Sequence, residues 1–214
     1  MESFLNEEGS LIVYDLIATI QNNKEYLSEI DGAIGDGDHG INMNKGFTIC
    51  KERLAGQKLN LATALKTLGK VLLTEIGGSM GPLYGTLFIE MSKACDGKEE
   101  IDKQIFADML NAALKGIQTL GNAKVGDKTL IDTLSPAVDT YLVMIEQGDS
   151  FEQALQAMVT AAEKGKESTR ELVAKVGRAS RLGERSRGVL DAGATSCYLM
   201  LASMAISIKA LLKK

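Results

Sequence analysis

Between Asp31 and Asn42 the chain reads DGAIGDGDHGIN, which sets three aspartates, four glycines and the sequence's only histidine within twelve residues. The acids are Asp31, Asp36 and Asp38, and the histidine is His39. Carboxylates this close repel one another, and each is costly to desolvate without a compensating cation. No lysine or arginine lies within the stretch, so a hard divalent cation is the simplest compensation. The glycines let the backbone come close to a ligand. The stretch reads as a loop that grips metal and, through the metal, a phosphate.

Other chemistries fit less well. Gly35, Gly37 and Gly40 match GxGxxG, but the preceding EYLSEIDGA is polar and broken, not a buried strand. A dinucleotide phosphate would also meet Asp36 and Asp38, which repel it unless a cation intervenes. An EF-hand loop starting at Asp36 needs a glutamate at its twelfth position, where Phe47 stands. A GxxxxGK[ST] phosphate loop is absent from the sequence. The plain alternative is an acidic, solvated turn between two helices.

A second concentration of chemistry lies in GRASRLGERSRGVLDAGATS, from Gly177 to Ser196, which breaks helical periodicity. It carries Arg178, Arg181, Arg185 and Arg187 among glycines, with Glu184 and Asp191 as its acids. Arginines on a glycine-rich loop are a donor set for phosphate or carboxylate. The alternative is a basic loop paired with surface acids.

The elements that must position these groups read as helices. Residues 9 to 29 form a first helix with Leu11, Ile12, Leu16 and Ile20 on one side, and a second helix runs from Asn42 with its N-terminus toward the acidic loop. Leu61, Leu65, Leu68 and Leu72 mark another helix that stops at Gly77-Gly78. The turn GGSMGPLYG follows, with Pro82 fit to open the next helix. Ile105, Met109, Ala113, Gly116 and Leu120 make a stripe, and GNAKVGDKTL leads into a helix with Leu134, Val138, Tyr141, Leu142 and Ile145. Phe151, Leu155, Met158 and Ala162 continue the pattern. With two prolines and no hairpin signal, residues 1–214 read as a single all-α domain of about eight helices.

Composition narrows the partners. The net charge is −4 with five tyrosines, five phenylalanines and no tryptophan, so neither a basic patch nor a stacking platform for nucleic acid is visible. Three separated cysteines without a CxxC pair fit a cytoplasmic protein with reduced thiols, and the acidic N-terminus lacks a signal-peptide pattern. The uncharged run from Ala192 to Ile208 reads as a buried helix, not a membrane span.

In order, DGAIGDGDHGINMNKGF, GGSMGPLYGT, VGDKTLID and GRASRLGERSRGVLDAGATS resemble the nucleotide-binding L subunit of dihydroxyacetone kinases, across residues 31–196. The resemblance implies a barrel of antiparallel amphipathic helices with the nucleotide, ADP or ATP, in the loops at one end. It implies that Asp31, Asp36 and Asp38 hold two Mg2+ ions. Charge agrees: three carboxylates and a nucleotide phosphate tail carry about −6, which one Mg2+ leaves far from neutral. By the same resemblance His39 and Asn42 contact phosphate, with Gly40 and Ile41 between them. Ser79, Met80, Gly121, Leu130, Arg178, Asp191, Ala192 and Gly193 surround the nucleotide, with Leu130 as an apolar wall for adenine and Arg178 as the catalytic donor.

This sequence departs from the family at GGSMG, where many members have GGxSG. It departs again at VLDAGA, where many have a histidine and DPGA, and at Arg181, which replaces an aromatic. The last two departures leave the acceptor sugar and the partner open. A related fatty-acid kinase family carries threonine in place of His39, so the histidine argues against that branch. The histidine that holds the triose covalently lies, in the family, on another subunit.

The expected function is thus one subunit of a kinase that passes a phosphoryl group to dihydroxyacetone or a related small ketose. The expected partners are a triose-binding subunit and a phosphoenolpyruvate-dependent phosphotransferase protein, with a homodimer left open. Alternatives are an ATP-exchanging subunit, a nucleotide-dependent regulator of a transcription factor, and a metal-stabilised helical scaffold.

Overall fold

The leucines at 61, 65, 68 and 72 fall on one side of a helix and are all buried, as their spacing requires. The same holds for Phe151, Leu155, Met158 and Ala162. The computed structural model describes residues 2–212. Among them are nine α-helices: α1 (Ser10–Asn22), α2 (Lys24–Ile34), α3 (His39–Leu54), α4 (Leu61–Glu75), α5 (Met80–Cys95), α6 (Lys103–Leu120), α7 (Ile131–Glu146), α8 (Phe151–Ser168) and α9 (Ala192–Leu211). From α3 to α9 each helix packs on the next, and α1 closes the ring against α9 and α3. The helix α2 packs on α3 and α9. One continuous apolar core, from Phe4 to Ile208, fills the ring.

The all-helical architecture agrees with the sequence pattern, with differences of detail. The expected helix over 9–29 is two helices, broken at Asn23, whose φ of −108° and ψ of 14° leave the helical region. Asn23 fits a break because its Nδ2 donates to the Thr19 carbonyl at 2.8 Å, competing with the backbone pattern. Leu11 is exposed, since the buried stripe runs through Ile12, Val13, Leu16, Ile17 and Ile20. On α6 the buried stripe runs through Phe106, Met109, Leu110, Ala113, Leu114 and Ile117, which leaves Leu120 exposed and Ile105 at the margin. The arginine-rich segment is only partly irregular: Arg178–Ser186 form 3-10 turns broken by a kink at Gly183, whose φ is 54°, and the last residues of the motif already belong to α9.

A two-stranded antiparallel sheet was not legible in the pattern: β1 (Ser3–Leu5) pairs with β2 (Glu100–Asp102). Buried Asn6 extends this tie, donating to the Cys95 and Lys98 carbonyls at 3.0 and 2.7 Å and accepting from the Ala62 N–H at 3.2 Å. The N-terminal segment therefore seals one end of the ring. At this end α4, α6 and α8 begin, each capped by a side chain: Asn60, Asp102 and Ser150 accept from the N–H groups of Thr63, Ile105 and Gln153.

Helix α9 is the one described helix long and apolar enough to cross a membrane by length and composition, and 61% of that window is buried inside the fold. Its apolar character serves the core, as the sequence suggests.

Candidate metal and nucleotide site

At the other end of the ring, α3, α5, α7 and α9 begin. Their starts are joined by hydrogen bonds centred on the first turn of α9. His39 Nε2 on α3 lies 2.9 Å from Ser196 Oγ, and Tyr84 Oη on α5 lies 2.6 Å from the same hydroxyl. Tyr84 also donates to the Gly193 carbonyl at 2.9 Å, and Thr133 on α7 donates to the Ala194 carbonyl at 3.0 Å. Unlike the far end, α3, α5 and α7 carry no side-chain cap here. The His39 N–H donates to Asp31 and the Ile131 N–H to Thr129 Oγ1, and the dipoles of these helices favour an anion at this end.

The three acids meet at this end. One carboxylate oxygen each from Asp31, Asp36 and Asp38 lies within 4.8 Å of the others. Asp31 sits in the last turn of α2, not in the loop, which is confined to residues 35–38. The helix α3 begins at His39, three residues before the expected Asn42, so His39, Gly40 and Ile41 form its first turn.

Two glycines make this compact geometry possible. Gly37 takes φ +75°, a left-handed conformation that turns the chain between the acids. At Gly40 a Cβ would stand 2.0 Å from the Lys24 carbonyl and 2.6 Å from Ser28 Oγ, so only glycine lets α3 cross α2 there.

From the other side of the sequence Arg178 reaches the cluster, paired with Asp36 and 3.8 Å from Asp38. The remaining arginines of the loop do not. Arg187 bonds Glu184 at 3.0 Å and the Glu171 carbonyl, a structural pairing, and Arg181 and Arg185 are exposed. The three hard oxygen donors with charge to balance fit a divalent cation such as Mg2+.

Around this centre, Asp191 caps α9 by accepting from the Ala194 N–H at 2.7 Å, followed by buried Ala192 and half-buried Gly193. Leu130, buried before α7, lies beside Gly193, where a Cβ would stand 3.6 Å from its own. Ile41 is exposed and Asn42 half-buried on α3. Ser79 and Met80 open α5, and Gly121 ends α6, at the same end but without a hydrogen bond or ion pair to the acids.

His39 opens α3 with its side chain facing the interior. Its ring is buried and turned inward onto Ser196, and its backbone N–H donates to Asp31 at 3.3 Å. Burial lowers its pKa to about 4, against the opposing pull of Asp31, so the ring is neutral near pH 7. Tyr84, Ser196, Lys128 and Asp132 went unnoticed as site-building residues, though all lie within the motifs. Asp132 accepts from the Gly126 and Thr129 N–H groups at 2.5 and 2.7 Å and so shapes the loop before α7.

The DAK2 domain model matches residues 33–206. The chain is 40% identical over 186 residues to the ADP-binding subunit DhaL of PEP-dependent dihydroxyacetone kinase 1 of Listeria innocua, covering 86% of this chain and 88% of the relative. It is 39% identical over 186 residues to the ADP-binding subunit DhaL of the Escherichia coli K12 PEP-dependent kinase, covering 86% and 89%. The D-erythrulose kinase of Mycolicibacterium smegmatis is 32% identical over 196 residues, but the match takes in only 34% of that relative. The crystal structure of the dihydroxyacetone kinase of C. freundii with AMP-PNP and Mg2+ superposes with a TM-score of 0.70 at 26% identity, over 94% of this chain and 34% of that one. The chain thus spans about a third of the length of that kinase.

Buried His39 and half-buried Asp191 oppose each other in pH. Unfolded His39 takes up a proton near 6.5 and folded His39 only near 4, so through that window stability falls as pH falls. Burial raises Asp191 from 3.8 to about 6, partly offset by the Ala194 N–H and Lys128. Folded Asp191 thus holds its proton where the unfolded chain has lost it, and between those values stability falls as pH rises. Asp191→Asn keeps a capping side chain and removes only the second slope. In urea titrations of the nucleotide-free chain, the variant should lose roughly 2 to 3 kcal/mol more than the parent from pH 6.5 to 4. Parallel profiles would disprove the raised pKa of Asp191.

Proposed function

The chain belongs to the DAK2 domain family, and on that premise we propose that it is the nucleotide-binding subunit of a dihydroxyacetone-type kinase. It holds ADP or ATP through two Mg2+ ions and passes a phosphoryl group to a small ketose, dihydroxyacetone or a relative, bound on a partner subunit. The observation that carries this reading is the meeting of Asp31, Asp36 and Asp38 with Arg178 where uncapped helix N-termini converge. The DhaL relatives, named as ADP-binding subunits of PEP-dependent kinases, support ADP as the resident nucleotide and a phosphotransferase protein as its recharging donor. The buried thiols of Cys50, Cys95 and Cys197 support a cytoplasmic setting.

The residues divide the work by chemistry. Asp31, Asp36 and Asp38 are the metal ligands, and bound Mg2+ supplies neutralising charge to the phosphate oxygens. The first turn of α3, through the N–H groups of Gly40 and Ile41, receives phosphate along the helix dipole. His39 serves this turn by anchoring it to α9, in place of direct contact through its ring. Arg178 offers a planar fork of donors to the oxygens that share charge during transfer. Asn42, Ser79 and Met80 border the phosphates, and Gly121, Leu130, Asp191, Ala192 and Gly193 border the nucleoside, with Leu130 against adenine.

Native mass spectrometry of the purified chain tests the reading directly. The parent should carry one ADP and two Mg2+ ions, and Asp36→Ala or Asp38→Ala should lose the nucleotide while circular dichroism stays helical. Retention of stoichiometric nucleotide in either variant would sink the metal assignment.

A coupled assay tests the division of labour between subunits. The chain alone, given ATP, Mg2+ and dihydroxyacetone, should make no sugar phosphate above background, and a triose-binding subunit should restore it. In that assembly Arg178→Ala should cost at least ~10-fold, about 1.4 kcal/mol, and Arg181→Ala little. Equal losses would mean the wrong arginine has been assigned.

A further inference from the structure

Lys128 is a buried cation that the reading above leaves without a task. It is only 2% exposed, and the other buried lysine among the described residues, Lys166 at 8%, differs in being paired with a carboxylate, that of Glu167. Its backbone adopts φ 63°, the one positive φ among the described non-glycine residues. A long side chain held in that region and dehydrated is kept there by what it binds. Its ammonium donates to two carbonyls, Thr169 and Val189, each at 2.6 Å. These short, charge-assisted bonds are the strong kind.

The two carbonyls are the ends of one loop. Thr169 follows the last residue of α8, where helix carbonyls lack intrahelical partners, and Val189 stands two residues before Asp191, the cap of α9. Between them runs the segment that carries Arg178. Other bonds close the same neck: Gly188 N–H donates to the Arg170 carbonyl at 2.7 Å, and Asp191 N–H to Thr169 Oγ1 at 3.0 Å. Higher up, Ala174 N–H donates to Ser186 Oγ at 2.9 Å. Of these ties only the ammonium joins both ends at once to a third element, the start of α7. Burial lowers the Lys128 pKa, while the nearby charges of Asp191 and Asp132 support its protonated form.

We propose that Lys128 is a positioning residue for phosphoryl transfer, stapling the two ends of the 169–189 loop so that Arg178 is held over the acidic cluster. This rests on the reading of Arg178 as the phosphate donor group. An ammonium suits the task because its three N–H groups can serve several carbonyls, whereas an apolar side chain of equal length leaves them unpaired.

The test is a double-mutant cycle in the kinase assembled with its triose-binding subunit. Lys128→Met should lower turnover at saturating ketose at least ~10-fold, with KM for the ketose unchanged. In an Arg178→Ala background the same change should cost less than ~2-fold, because the residue it acts through is gone. Mn2+ binding, followed by electron paramagnetic resonance, should match the parent, and hydrogen exchange should rise within residues 170–188. Losses that add across the two sites, or weakened Mn2+ binding, would overturn the positioning role alone. An Arg178→Ala variant with full activity would overturn both this role and the reading beneath it. Should Lys128→Met fail to fold, Lys128→Gln, which keeps a donor, carries the same cycle. Failure of both to fold would make Lys128 a requirement of the fold and would also overturn the proposal.

Discussion

Three carboxylate oxygens held within 4.8 Å of one another set the terms for this end of the molecule. Left to themselves such groups separate, since like charges at that spacing repel by an amount that grows as water is excluded. The backbone is what brings them together. Asp31 is fixed in the last turn of α2, the left-handed turn at Gly37 sets Asp36 and Asp38, and Gly40 lets α3 lie directly on α2. The neutralising charge comes from elsewhere, from Arg178 on a loop that only the closed ring of helices brings near. The site is therefore a product of tertiary structure, even though its acids are neighbours in sequence.

The polarity of the barrel follows from its connectivity. Helices that alternate direction around a closed ring must place every second N-terminus at the same end. Here α4, α6 and α8 begin where side chains cap them and the N-terminal strand seals the ring. The helices α3, α5 and α7 begin at the acidic end without such caps, gathered around α9 by Ser196, Gly193 and Ala194. One end is thus spent on stability, and the other keeps donors and irregular backbone for ligands. An anion bound there meets several partial positive charges at once.

Much of this could be read from residue types, and the rest could not for physical reasons. The aspartates stand out because no hydrophobic core needs them in that arrangement, whereas Arg178 is set apart from the other loop arginines only by the family resemblance. Leucine stripes on α4 and α8 were legible because each repeats a single face. The break at Asn23 was missed because apolar periodicity passes through it, and the turn depends on one side chain bonding back to Thr19. The short β1–β2 pair joins segments far apart in sequence, a contact that three-residue strands do not announce. Lys128 was passed over because a lysine beside an aspartate reads as a surface pair, although its burial depends on carbonyls from α8 and the approach to α9. The inward turn of the His39 ring onto Ser196 depends on a residue 157 positions away, which the local motif does not announce.

That packing also bears on why such a chain would work with others. A general base needs a proton affinity near the working pH and a lone pair facing the reactant. His39, the only histidine, has its pKa lowered to about 4 and its Nε2 committed to Ser196. Tyr84 and the cysteines are pushed by burial toward their protonated forms. The acids of the loop converge on one another and on Arg178. What remains is a set of charges and donors suited to steadying phosphate oxygens, which is the larger part of phosphoryl-transfer catalysis. Orienting the acceptor hydroxyl and receiving its proton are separate demands, which neither His39 nor Tyr84, both turned onto Ser196, is placed to meet. A chain built this way gains from a partner that brings the acceptor already oriented, because the positional term then comes from docking two rigid surfaces.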